Sequence, residues 1–160
     1  MKALKTEKID KQIEKITVSL LEKLQVEAEV KVAKVDEDNY KANISTPDTG
    51  LLIGRLGETI NSLQLLLGVI LYKKLGSWIR VIVDVGDYRK TREESIKQMV
   101  TRIVAEVEND SQPVTLPYLT PFERRIVHIM LADHEKVTSE SVGEGRDRRL
   151  TIKPKLPELR

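Results

Sequence analysis

Apolar residues recur along this chain with two alternating periods. Ile9, Ile13, Ile16, Leu20 and Leu24 return at helical spacing, which predicts an amphipathic helix over roughly residues 6–24. The period then drops to two. Val26, Ala28, Val30 and Val32 alternate with Glu27, Glu29 and Lys31. After the polar turn Asp36-Glu37-Asp38-Asn39, Tyr40, Ala42 and Ile44 alternate with Lys41, Asn43 and Ser45. These are two half-buried strands of a hairpin. Thr46-Pro47 reads as the start of a short helix with proline at its first position. A longer helix follows, with Ile60, Leu63, Leu67, Ile70 and Leu71 as its stripe and an end near Gly76. Ile79, Val81, Val83 and Val85 make a third strand.

Beyond that strand the helical period dominates. From Asp87 or Thr91 to Glu108, Ile96, Met99, Val100, Ile103, Val104 and Val107 share one side, and Arg89, Arg92, Glu93, Lys97 and Arg102 the other. Asn109-Asp110-Ser111-Gln112-Pro113 breaks this helix, and Val114-Thr115-Leu116 is a short strand. Thr120-Pro121-Phe122-Glu123 fits a capping box with proline at the first helical position. On that helix Phe122, Ile126, Ile129 and Met130 fall on the expected buried side, widened by Val127 and Leu131. Arg124 and His128 lie one turn apart on the opposite arc, bordered by Arg125. Val137 to Val142 and Arg149 to Ile152 are expected to pair as strands around Gly143-Glu144-Gly145.

Composition narrows the function classes. The chain has 160 residues, 40% hydrophobic and 32% charged, enough for one domain or two small ones. No apolar run reaches membrane-spanning length, because Leu65 to Leu71 is interrupted by Gly68. The first residues lack the apolar stretch of a signal peptide, so a cytoplasmic protein without membrane insertion is expected. With no cysteine and two histidines, disulfides and thiolate chemistry are excluded and no metal site or cofactor is expected. No phosphate-binding Gly-x-x-x-x-Gly-Lys-Ser/Thr string occurs, and no nucleophile, base and orienting group assemble, so no catalytic residues are assigned and no enzyme is expected. Net charge is only +2, which permits a nucleic-acid partner without demanding one.

Two motifs carry chemistry. Gly54-Arg55-Leu56-Gly57 joins the apolar Gly50-Leu51-Leu52-Ile53 to the helix opening at Glu58-Thr59-Ile60. Paired glycines let a backbone approach a sugar-phosphate strand closely, and the following helix N-terminus adds unpaired N–H groups. The alternative is a helix–helix turn that needs glycine only for its backbone. The second motif is Arg124-x-x-x-His128, two donors suited to a phosphate, against the alternative of a solvated polar face. Arg148-Arg149, after the glycine-bearing turn, adds either further phosphate contacts or a solvated pair.

The order of residues 6–86 resembles a type II KH domain, a three-stranded sheet packed with helices. Arg124-Arg125-Ile126-Val127-His128 resembles the signature of the R-three-H domain, a small α/β module that binds single-stranded nucleic acid. KH followed by R-three-H resembles the arrangement of the Jag family, also called KhpB. Gly50 to Arg55, Gly57-Glu58-Thr59, Leu63-Gln64, Glu123 to His128 and Thr138-Ser139-Glu140-Ser141-Val142-Gly143-Glu144-Gly145 all look like that family. The resemblance implies an α+β protein with a KH domain over 1–86, an R-three-H domain with its connecting helix over 87–155, and a flexible tail over 156–160. It implies single-stranded RNA as the ligand, held by Ile53, Gly54, Arg55, Leu56 and Gly57 and by Arg124, Arg125, His128, Arg148 and Arg149. Ile53 and Leu63 would help wall a groove for about four nucleotides. Single-stranded DNA is the alternative ligand, and a dimerisation module the alternative function, as a homodimer or with a single-KH partner. The implied role is post-transcriptional regulation touching cell envelope growth, division or sporulation. Two departures stand out: the family commonly carries a further N-terminal domain, and Leu56 stands where a basic or polar residue is more usual.

Overall fold

The structure, a computed structural model, describes residues 8–155. The expected tail at 156–160, and residues 6 and 7 of the first expected helix, lie outside them. The chain divides into two compact units, the first ending at Arg89 and the second beginning at Lys90.

The first unit runs α1 (Ile9–Lys23), β1 (Glu29–Lys34), β2 (Asn39–Ser45), α2 (Thr49–Ile53), a 3₁₀ turn (Arg55–Gly57), α3 (Glu58–Leu75) and β3 (Arg80–Val85). β1 and β2 form the antiparallel hairpin that the alternation predicts, with Val30 opposite Ile44 and Val32 opposite Ala42. β3 joins β2 in parallel, giving the sheet order β1-β2-β3. Tyr40, Ala42 and Ile44 meet Val81, Val83 and Val85 in a core closed by Ile13 and Leu21 of α1 and by Ile60, Leu63, Leu67 and Leu71 of α3. α3 ends at Gly76 in a left-handed C-cap (φ 74°).

Two details differ from the sequence pattern. Ile13, Thr17 and Leu21 form the inner line of α1, while Ile9 and Leu24 are exposed. Thr17 fits the core because its hydroxyl donates to the Ile13 carbonyl (2.7 Å), so no polar group is left unpaired. α2 begins at Thr49 and not at Pro47. The Thr46 hydroxyl bonds instead to the Glu27 carbonyl (2.7 Å) and accepts from the Asp48 amide (3.2 Å), holding Pro47 in the turn.

The second unit is built from α4 (Tyr88–Asp110, its first two residues belonging to the first unit), β4 (Val114–Thr115), α5 (Pro121–Leu131), β5 (Val137–Val142) and β6 (Arg149–Pro154). The sheet order is β4-β6-β5, all antiparallel, and β5 and β6 pair around the glycine-bearing turn as expected. Ile96, Val100, Ile103 and Val107 of α4 pack with Val127 and Leu131 of α5 and with Val137, Leu150 and Ile152 of the sheet. Arg89 and Arg92, which the period puts on the side of α4 opposite its apolar residues, both find partners. Arg89 donates to the Val83 carbonyl (2.8 Å) and Gln64 Oε1 (2.9 Å) within the first unit, and Arg92 Nε pairs with Glu123 (2.7 Å) within the second.

Candidate nucleic-acid interface

The first candidate site is a backbone device. Gly54 closes α2 by donating to the Gly50 carbonyl (2.9 Å), then takes φ 70°, ψ −175°, a region open essentially only to glycine. A Cβ there would stand 2.0 Å from Thr59 Oγ1 and 2.9 Å from the Thr59 amide nitrogen. Gly57 (φ 82°) is the N-cap of α3, and a Cβ on it would meet the Tyr88 ring at 3.1 Å. Leu56 between them also has positive φ (53°), an uncommon conformation for a branched apolar residue. Three positive-φ backbones in four residues draw the loop into one tight 3₁₀ turn at the mouth of an 18-residue helix. Arg55 is exposed at its apex, Leu56 and Ile53 are half-buried, and Gly57 is buried. Leu63, expected to help wall a groove, is 4% exposed and belongs to the core.

The second candidate site depends on the rotation of α5. Thr120 and Glu123 form the full capping box: Thr120 Oγ1 accepts from the Glu123 amide (3.3 Å), and Glu123 Oε2 accepts from the Thr120 amide (2.7 Å). The same carboxylate takes Arg92 Nε on its other oxygen. These bonds draw Glu123 inward, to 6% exposure, and with it Val127 and Leu131. The helix is therefore rotated from the face its apolar residues suggest. Phe122 and Ile129, expected in the core, are 68% and 65% exposed, and Ile126 and Met130 are half-buried.

That rotation leaves Arg124 and His128 half-buried at the edge of the helix, not on its outer arc. Each is anchored separately. Arg124 Nη1 donates to the Leu119 carbonyl (2.7 Å), and His128 Nδ1 shares a hydrogen bond with Ser139 Oγ on β5 (2.8 Å). Among the described residues no further hydrogen bond engages the remaining guanidinium N–H groups or the second imidazole nitrogen, which leaves them to a ligand. Ser139 is the residue that the sequence pattern missed; its signal is its place inside the Thr138-Ser139-Glu140 stretch. Arg125 is exposed, and among the described residues no hydrogen bond or ion pair engages its side chain or that of Arg148. Arg149 is half-buried, bonded to the Arg146 and Arg148 carbonyls (2.7 and 3.1 Å) and stacked over the Tyr118 ring at 5.5 Å. The structure thus gathers Ile53 to Gly57 in the first unit and Arg124, Arg125 and His128 on one helix of the second, with Arg148 and Arg149 at the start of its last strand.

Comparison with known proteins matches both units. The KH domain of KhpA/KhpB matches residues 10–85, and the R-three-H domain matches residues 94–154. The chain is similar to proteins named RNA-binding protein KhpB. It is 34% identical to that of Clostridium symbiosum over 116 residues, covering 72% of this chain and 52% of the relative. It is 39% identical to that of Lactiplantibacillus plantarum over 105 residues (66% and 32%), and 30% to that of Bacillus subtilis over 115 residues (71% and 55%). The chain spans about half or less of the length of these relatives.

Proposed function

Because this chain belongs to the KhpB family, joining a KH domain to an R-three-H domain, we propose that it binds single-stranded RNA through both units, without catalysis. The KH unit is taken as residues 1–86 and the R-three-H unit as 87–155. The observation that carries the reading is the Gly54–Gly57 turn. It carries no Cβ at either end, its apex holds one exposed arginine, and α3 begins directly beneath it. That combination suits a sugar-phosphate strand, with Ile53 and Leu56 offering an apolar edge to the bases. Arg124, Arg125 and His128 form the second set of donors, and Arg148 and Arg149 extend it. Among the described residues no helix is long and apolar enough to cross a membrane. A role in envelope growth, division or sporulation would follow from the transcripts bound. Single-stranded DNA is the competing ligand, and titration with both strands of one sequence separates them.

Changing Arg55 to Asp puts a negative charge against the phosphate without touching either glycine. Affinity for a single-stranded RNA should fall about tenfold or more, as for a lost charge-assisted hydrogen bond. The salt dependence should flatten by about 0.7 log units per log unit of salt. Unchanged affinity and slope in the folded variant would remove the turn from the interface.

A second reading rests on α3. Leu65 (67% exposed), Leu66, Val69 and Tyr72 line its outer side, and the Trp78 ring meets Tyr72 at a tilt, with centroids 5.8 Å apart. An apolar stripe of this kind suits a dimer contact, with a second copy or a single-KH partner. Leu66→Asp should then shift sedimentation from dimer to monomer; a monomeric parent at high concentration would argue against self-association.

A further inference from the structure

We propose that Phe122, with Ile129 and Arg125, is a base-stacking platform on α5 that extends the phosphate donors of the second unit. This inference rests on the RNA-binding reading given above. Residues 122, 125, 126 and 129 follow helical spacing, so they form one stripe along the outside of α5. Its two ends are the chain's single phenylalanine and an isoleucine, both about two-thirds exposed. Arg125 stands between them, exposed, its side chain engaged by no other group among the described residues. The rotation of α5 that exposes this stripe is fixed from the inside by Glu123, bonded to Thr120 and Arg92, so the stripe is held outward.

Charge selects the occupant. The stripe sets an exposed cation, Arg125, between two exposed apolar side chains, which pairs a phosphate donor with a stacking surface as single-stranded nucleic acid requires. Side chains three or four residues apart on a helix have Cβ atoms about 5–6 Å apart, comparable to the reach from a nucleotide's phosphate to its base. A phosphate held by Arg125, three residues from Phe122 and four from Ile129, therefore leaves its base beside Phe122, with Ile129 as an apolar wall. Stacking on a phenyl ring needs no base-specific hydrogen bond, so the platform would tolerate any sequence.

The test uses the intact chain and a single-stranded oligoribonucleotide of about 12 nucleotides, long enough for the KH groove and a second contact. Phe122→Ala should weaken binding about tenfold, within the range for loss of one stacked base, while leaving the salt slope unchanged because no phosphate contact is lost. Phe122→Trp keeps a ring and should retain the parent affinity. Its added indole, set against a parent whose one tryptophan is Trp78, should lose fluorescence when RNA is added. Equal affinities for the alanine variant and the parent, equal losses for the alanine and tryptophan variants, or fluorescence of the added indole that RNA leaves unquenched would each overturn the platform. Failure of the underlying reading looks different: the parent itself would then not bind the oligomer, or Arg124→Ala/His128→Ala would bind it undiminished.

Discussion

Replacing Gly54 with alanine should collapse the first unit's stability. The residue sits where L side chains are strained, and its new Cβ would press on Thr59 Oγ1 at 2.0 Å and on the Thr59 backbone nitrogen at 2.9 Å. Rotating the threonine relieves the first contact only. The second requires the loop and the start of α3 to move, as in an overpacked core. Strain of about 1–3 kcal/mol and overpacking of about 1–3 kcal/mol combine to roughly 4 kcal/mol. At about 4–8 °C per kcal/mol for a unit of this size, the first melting transition should fall by more than about 10 °C. Differential scanning calorimetry would read it, and a loss of only a few degrees would mean that the turn has a second accessible conformation. RNA binding would fall as well, but through folding. For this reason Arg55, and not a glycine, is the informative position for the interface.

The second large effect concerns Glu123. Alanine there removes the carboxylate half of the capping box, about 1 kcal/mol, while the Thr120 hydroxyl still accepts from the residue-123 amide, and leaves Arg92 with 23% side-chain exposure and no counter-charge. Loss of a charge-assisted bond adds about 1.5–3 kcal/mol, so about 3 kcal/mol in total is expected for the second unit. Glu123→Gln retains a carbonyl oxygen for the Thr120 amide and should cost about half as much. Equal costs for alanine and glutamine would assign the whole effect to the ion pair. Because Glu123 sets the rotation of α5, the alanine variant should also lose protection from hydrogen exchange at Val127 and Leu131.

How far such features were legible in the sequence follows from the range of the interactions that set them. Tyr40, Ala42 and Ile44 announced β2 because strand alternation is local, and Val137 to Val142 and Arg149 to Ile152 announced their hairpin for the same reason. Gly76 and the Thr120–Glu123 box marked helix ends that the structure places where the residues put them. The Gly54–Gly57 turn was legible as a motif, although its left-handed Leu56 was not. What failed was the rotation of α5. Counting apolar residues put Phe122 and Ile129 inside, but a buried acid with two hydrogen-bonding partners outweighed them. One of those partners, Arg92, is 31 residues away and invisible to any local pattern. The bonds of Arg89 were hidden for a similar reason, because its acceptors, Val83 and Gln64, lie in other elements. Long-range polar pairs are what a period in the sequence does not encode.

The central claim is that both units take hold of single-stranded RNA. Equilibrium titration of one labelled oligoribonucleotide into the intact parent, Arg55→Asp and Arg124→Ala/His128→Ala tests it most directly, with melting curves to confirm folding. Each variant should bind about tenfold or more weakly, with a flatter salt dependence. The combined variant should lose more than either, because the second contact on one strand is intramolecular. Parent affinity in the Arg124 and His128 variant, or a drop in its melting temperature large enough to account for its weaker binding, would contradict the claim for the second unit and leave the Gly54–Gly57 turn as the only RNA contact.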